Sequence, residues 1–132
     1  MPSIFSKIID GEIPCYKIAE SETCFAFLDI NPLAKGHTLV VPKKEVDYIF
    51  DVEDELYLEL MLFAKKVGKA IETVVPCERI GVTVIGLEVP HAHVHLIPIN
   101  GISDMNFAKP KLSLNQDELV DLASQISAAY KG

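Results

Sequence analysis

The 132-residue chain is 49% hydrophobic and 23% charged, the make-up of a soluble globular domain that can bury a core without staples. Its net charge of −7 leaves no basic field for nucleic acid or a membrane surface, so neither is expected as a partner, although local donors can still hold a small phosphorylated ligand. Cys15, Cys24 and Cys77 are odd in number and form no CxxC pair, which argues against a disulfide framework and for a reducing, cytoplasmic setting.

The opening residues show no basic leader followed by an apolar run, and no stretch approaches the ~20 apolar residues that cross a bilayer. Without internal repeats, low-complexity tracts or linkers, residues 1–132 are expected to form one domain, with its core over about 3–99 and a helical tail over 115–130.

In chain order, residues 3–11 predict a short helix, with Ser3 as N-cap and Gly11 as terminator. Residues 15–19 and 23–29 predict two strands joined by a tight turn at Ser21 and Glu22, and residues 37–42 a third after a loop at 31–36. A long helix should follow, capped by Asp51 and stopped by Pro76. Leu56, Leu60, Phe63, Ala64, Val67, Ile71 and Val74 form its apolar stripe. Tyr57, Leu58, Met61 and Leu62 add a second apolar face, for which a second copy of the chain is the economical partner and a wider monomer core the alternative. Residues 79–85 and 89–98 predict two more strands, and Leu119, Leu122, Ala123 and Ile126 mark an amphipathic helix. The pattern predicts an α+β domain with a mainly antiparallel five-stranded sheet, one long helix and short terminal helices. No GxGxxG or GxxxxGK[ST] loop is present.

The chemistry concentrates in the run Val89-Pro90-His91-Ala92-His93-Val94-His95-Leu96-Ile97-Pro98. On a strand, alternate side chains share a face at roughly 6.5–7 Å, so three imidazoles would line one side while Ala92, Val94 and Leu96 face a core. Ordinary surface histidines, a metal site and a nucleophilic site are the competing readings. An HxH pair can offer two nitrogens to zinc, with Glu88, His95 or His37 as a third ligand, but three histidines on a flat strand diverge. A nucleophilic imidazole flanked by donors fits better, because phosphorus chemistry spreads charge over several oxygens. The turn containing Gly86, Glu88 and Val89 lies just upstream, where backbone N–H groups can approach a phosphate.

The pattern His91-Ala92-His93-Val94-His95-Leu96-Ile97 resembles the signature of the histidine triad (HIT) superfamily, and most closely its Hint-like branch. Landmarks agree in order: Ile4-Phe5-Ser6-Lys7-Ile8-Ile9 with Glu12-Ile13-Pro14, Phe25-Ala26-Phe27-Leu28-Asp29-Ile30-Asn31-Pro32, and Gly36-His37-Thr38-Leu39-Val40-Val41-Pro42-Lys43. With the second apolar face of the long helix, the expectation is a homodimer in which two antiparallel sheets join edge to edge. The resemblance implies a nucleotidyl hydrolase or transferase that cleaves a nucleoside monophosphate, AMP or GMP, from an amine, acyl group or phosphate. His93 would be the nucleophile, forming a nucleotidyl-histidine. His91 would orient it, and His95 would contact the phosphate and leaving group. Asp29 would bind ribose hydroxyls, with Ile18, Leu28 and Ile30 walling the base and His37 near the triad. Thr83, Glu88 and Val89 would complete the substrate-binding set.

Some members carry Cys-x-x-Cys near the N-terminus, holding zinc with histidines; Ser3 and Ser6 occupy those positions here, so no metal and no cofactor are expected. Ala19 replaces an aromatic residue over the base, Thr83 an Asn, Leu87 a Gln, and Glu88 a Ser or Thr, departures that touch phosphate and leaving-group recognition.

Overall fold

Ser3 starts the chain's first helix, α1 (Ile4–Ile9), by accepting the Ser6 N–H on its side-chain oxygen at 3.0 Å. Gly11, at φ +83°, turns the chain away in a conformation that favours glycine. The computed structural model describes residues 2–132.

Five strands follow: β1 (Lys17–Glu20), β2 (Cys24–Leu28), β3 (Thr38–Pro42), β4 (Arg79–Thr83) and β5 (Val94–Ile99). They form one sheet in the order β1-β2-β3-β5-β4, with every neighbouring pair antiparallel. Helix α2 (Asp54–Val74) separates β3 from β4, and α3 (Gln116–Ala129) closes the chain with Asn115 and Glu118 exchanging caps. The α+β architecture is the expected one.

Strand alternation gives the sheet two faces. Ala26, Leu28, Val40, Val94 and Leu96 point toward the helices, packing with Leu60, Val67 and Ile71 of α2 and Leu122 and Ile126 of α3. Burying each such large aliphatic chain stabilises the fold by about 1.5–3 kcal/mol, which makes this face the main source of cohesion. The other face presents Phe25, Phe27, Leu39 and Val41, covered by Phe5 of α1. His95 lies between Val94 and Leu96, so it belongs to this second face.

Several boundaries differ from expectation, and three of them bear on the site. Asp51 ends a separate helical turn (Ile49–Asp51), and α2 starts after Glu53, because buried Val52 packs with Leu56 and Ala92 and holds an extended backbone between them. β4 stops at Thr83 rather than 85. β5 starts at Val94, so His91 and His93 precede the strand: Pro90 has no N–H to give, and the Ala92 N–H donates to the Val46 carbonyl at 2.7 Å. The ladder therefore begins at Val94 rather than at the first histidine of the alternating run.

The second face of α2 remains uncovered within one chain, with Leu58 and Leu62 each about 60% exposed. No helix is long and apolar enough to cross a membrane, among the described residues.

Candidate active site

The loop before β5, β5 itself and the residue that enters β3 bring four histidines together, all of them buried. Gly36 makes this possible. It turns at φ +98°, and a Cβ there would come within 2.9 Å of Val75 Cγ2, so only glycine lets the chain enter β3 beside the Val75 wall and deliver His37.

Two proton arrangements can be read from partners that have no choice of role. The Leu33 N–H donates to His37 Nδ1 at 3.0 Å, so a neutral His37 carries its proton on Nε2. That N–H points at His95 Nδ1, 3.0 Å away, which leaves the proton of His95 on its Nε2. Burial depresses both rings, and nearby histidines add to it: His37 is pushed down to about 3 and His95 to about 4, so both are neutral at pH 7. His95 thus presents an N–H donor on its outer edge.

In His93 the order is reversed. Its Nδ1 is 2.8 Å from the His91 carbonyl, which only accepts, so the proton is on Nδ1 and the Nε2 lone pair is free. Among the described residues no hydrogen bond is formed by His93 Nε2 or His95 Nε2, and no buried side-chain polar atom is left without a partner; both nitrogens therefore keep contact with solvent. The His93 and His95 ring centroids are 4.9 Å apart. A lone pair and an N–H donor thus stand side by side, the pairing that attack on a charged phosphoryl group uses. The side chain of His91 turns away, bonding Ser3 Oγ at 2.7 Å and the Pro42 carbonyl at 2.8 Å.

Asp29 follows β2, its Oδ2 3.6 Å from His37 Nε2 and its Oδ1 accepting the Asn31 N–H at 2.8 Å. Burial raises its pKa against the opposing effects of that bond and of the His93 and Lys111 charges. Ligand atoms of Asp29, His37 and His95 lie within 4.8 Å of one another, a metal-sized cluster. Its protons fit a metal poorly. A ligating histidine donates through its second nitrogen, whereas His37 Nδ1 accepts from Leu33 and so keeps a proton on the nitrogen a metal would need. The Ser3 and Ser6 hydroxyls likewise serve hydrogen bonds, not a metal.

Of the other anticipated positions, Thr83 is directly opposite His95 in the β4–β5 ladder, on the same face. Val89 packs against the Phe5, Phe27 and Leu39 cluster, Glu88 is exposed beside it, and Ile30 is 61% exposed past Asp29. Ile18 and Leu28 need correction. Both are 2% exposed in the helix-side core: alternation along β2 turns Leu28 away from Phe27, and the register shift between Lys17 and Ala19 leaves Ile18 in the same cluster as Ala19, so neither walls a pocket at the histidines.

The structure adds residues that sequence reasoning left out. The Phe5 ring is 4.9 Å from His93 and 5.6 Å from Phe27, making an aromatic wall. Phe107, in the chain after β5, packs at 4.8 Å against the His95 ring, and Lys111 Nζ donates to the Phe107 carbonyl at 2.5 Å. The alternation of Phe25 and Phe27 with Ala26 was a usable signal for the wall; nothing in the irregular stretch 100–115 marked Phe107. A groove of about 540 Å³ between α2 and β4 is lined by Met61, Lys65, Arg79 and Val82, with no histidine among its lining residues.

The family model of the HIT domain matches residues 10–101. The chain belongs to the histidine triad family. It is 36% identical to the adenosine 5'-monophosphoramidase hnt1 of Schizosaccharomyces pombe, over 99% of this chain and 100% of that one. It is also 41% identical to the adenosine 5'-monophosphoramidase HNT1 of Saccharomyces cerevisiae, over 98% and 83% respectively. A crystal structure of a Hit-like protein from Bartonella henselae superposes with a TM-score of 0.83 at 30% identity, covering 96% of this chain and 95% of the other. In HIT terms, the triad here is His91, His93 and His95.

Proposed function

We propose that this HIT protein hydrolyses conjugates of nucleoside monophosphates, adenosine phosphoramidates foremost, through a covalent nucleotide on His93. The observation that carries the reading is the 2.8 Å bond from His93 Nδ1–H to the His91 carbonyl, which leaves Nε2 as the exposed lone pair. Similarity to two adenosine 5'-monophosphoramidases supports the reaction class.

In the first step Nε2 attacks phosphorus, a P–N(His93) bond forms, and the bond from phosphorus to the leaving nitrogen breaks. The nitrogen departs as an amine after taking a proton through water. The positive charge on the nucleotidylated ring is eased by the carbonyl at Nδ1, and the His95 Nε2–H faces the phosphoryl oxygens as their charge grows. Water then attacks phosphorus and gives up a proton to solvent. The P–N(His93) bond breaks, returning the imidazole and a nucleoside monophosphate. Asp29 is the acceptor for ribose hydroxyls. Ile30 and the Phe5–Phe27 wall offer apolar surface to the base.

The decisive experiment is single-turnover mixing with an adenosine phosphoramidate labelled at phosphorus. Label should appear on protein and vanish in His93→Ala. Tight binding of AMP without turnover across amine, acyl and phosphate conjugates would sink the hydrolase reading.

We also propose a homodimer joined along β4. This strand is the free edge of the sheet beside His95, Val82 on it is 54% exposed, and Leu58 and Leu62 of α2 continue the apolar area. A solution mass of one chain at micromolar concentration would contradict it.

A further inference from the structure

Ser3 makes more hydrogen bonds than a helix cap needs. Its Oγ accepts the Ser6 N–H at 3.0 Å and stands 2.7 Å from His91 Nδ1. On the far side of that ring, Nε2 is 2.8 Å from the Pro42 carbonyl, which only accepts. His91 therefore carries its proton on Nε2, and burial, its main influence, holds the ring below the ordinary histidine range and so neutral. Nδ1 has only a lone pair to offer, so the Ser3 hydroxyl proton goes there. Glu45 closes the other side: its Oε1 accepts the Ser3 N–H at 2.6 Å and the Ser6 hydroxyl at 2.7 Å. With the Ser6 proton committed to Glu45, the Ser3 hydroxyl has His91 Nδ1 at 2.7 Å as its short partner and the Ser6 oxygen only at 3.4 Å.

His91 is thus held at both ring nitrogens, and its own N–H donates to the Val89 carbonyl at 2.8 Å. Its carbonyl is a fixed acceptor, and that carbonyl is what selects the Nδ1–H form of His93. We propose that Ser3, braced by Glu45, is a positioning residue for the nucleophile: its hydroxyl locks His91, and the His91 carbonyl in turn keeps the His93 Nε2 lone pair directed outward. A hydrogen-bonded cluster at the start of α1 does here the tethering of N-terminus to triad. The kinetic part of this proposal rests on the hydrolase reading; the spectroscopic part does not.

The test uses the full chain with Ser3→Ala, Ser3→Thr and Ser3→Asp. Imidazole N–H correlation spectra should show Nε2–H for His91 and Nδ1–H for His93 in the starting protein. Ser3→Ala should leave the His91 Nδ1 lone pair without a donor and shift its Nδ1 resonance while Pro42 keeps the Nε2 proton, speed exchange of the His93 Nδ1 proton, and lower kcat on an adenosine phosphoramidate by roughly tenfold with KM unchanged. Ser3→Thr should restore both. Ser3→Asp still caps α1 but cannot donate, so His91 should become doubly protonated near neutral pH and its titration midpoint should rise. A starting-protein kcat and His93 spectrum in Ser3→Ala would overturn the proposal, as would equal losses in Ser3→Ala and Ser3→Thr or a change confined to KM. Should Ser3→Ala fail to fold, the capped Ser3→Asp decides: unaltered His91 and His93 spectra overturn the proposal. A starting protein inert toward every conjugate removes the hydrolase reading, and the spectra then decide the positioning role alone.

Discussion

His37 Nε2 stands 3.0 Å from His95 Nδ1, and this contact determines which nitrogen of His95 faces the substrate side. Without the His37 donor, His95 can carry its proton on Nδ1 and turn a lone pair outward, toward phosphoryl oxygens that repel it. His37→Phe is therefore expected to lower kcat on an adenosine phosphoramidate by roughly ten- to a hundredfold, less than the loss of an acid–base group itself because His37 acts only through His95. His37→Gln, which keeps an N–H donor, should recover part of it. Steady-state kinetics of both variants check this, and equal activity in His37→Phe would remove His37 from the machinery.

The same burial makes the fold sensitive to acid. His37 at about 3 and His95 at about 4 are depressed from an unfolded value of 6.5, so between those limits the unfolded chain binds protons that the native one refuses. Stability is then lost as pH falls from about 6.5 toward 4, by up to about 3 kcal/mol for each ring across the window. Asp29 has the opposite sign, since its raised pKa favours the native state in acid, but only near the carboxylate range. Glu20, held down to about 2 by Lys17 and Lys43, acts below its ordinary value and not in the histidine window. Urea midpoints at pH 7, 5.5 and 4.5 measure the loss, and His37→Gln should flatten it.

The triad was legible because three titratable rings in alternation serve no packing purpose, while Ala92, Val94 and Leu96 between them do face the core. Their shared face was only half right. His91 turns to Ser3 and Pro42, because its segment lies before the strand, and alternation gave no sign that Pro90 and the Ala92 bond to Val46 would delay the ladder. His37 was found through its motif, yet its bond to His95 joins residues 58 apart and no local pattern encodes it. Leu28 and Ile18 were misplaced because a buried aliphatic residue looks the same in sequence whether its strand face meets a helix or a ligand.

Phe107 packs against the His95 ring with centroids 4.8 Å apart, and desolvation is the largest cause of the low His95 pKa. Phe107→Ala should admit more water to that ring and raise the His95 titration midpoint from about 4 toward its ordinary value. Lys111 acts through charge instead, easing ionisation of Asp29, so Lys111→Ala should move the Asp29 midpoint upward. Proton NMR titration of His95 and carboxyl-carbon titration of Asp29 separate the two effects. An unmoved His95 midpoint in Phe107→Ala would assign its desolvation to the sheet alone.

Ile18 and Phe5 test the assignment of the two sheet faces. Ile18, 2% exposed, packs with the α2 and α3 core, and truncating it leaves a cavity that the surrounding side chains refill only in part. Ile18→Ala should cost about 2–5 kcal/mol in denaturant unfolding while KM for an adenosine conjugate stays unchanged. Phe5 closes the opposite face, 4.9 Å from His93. Phe5→Leu keeps apolar bulk but removes the ring edge, so it should raise KM with a smaller loss of stability. A KM effect in Ile18→Ala exceeding that of Phe5→Leu would mean that the nucleotide reaches through the sheet's β1 end, and the faces would have to be reassigned.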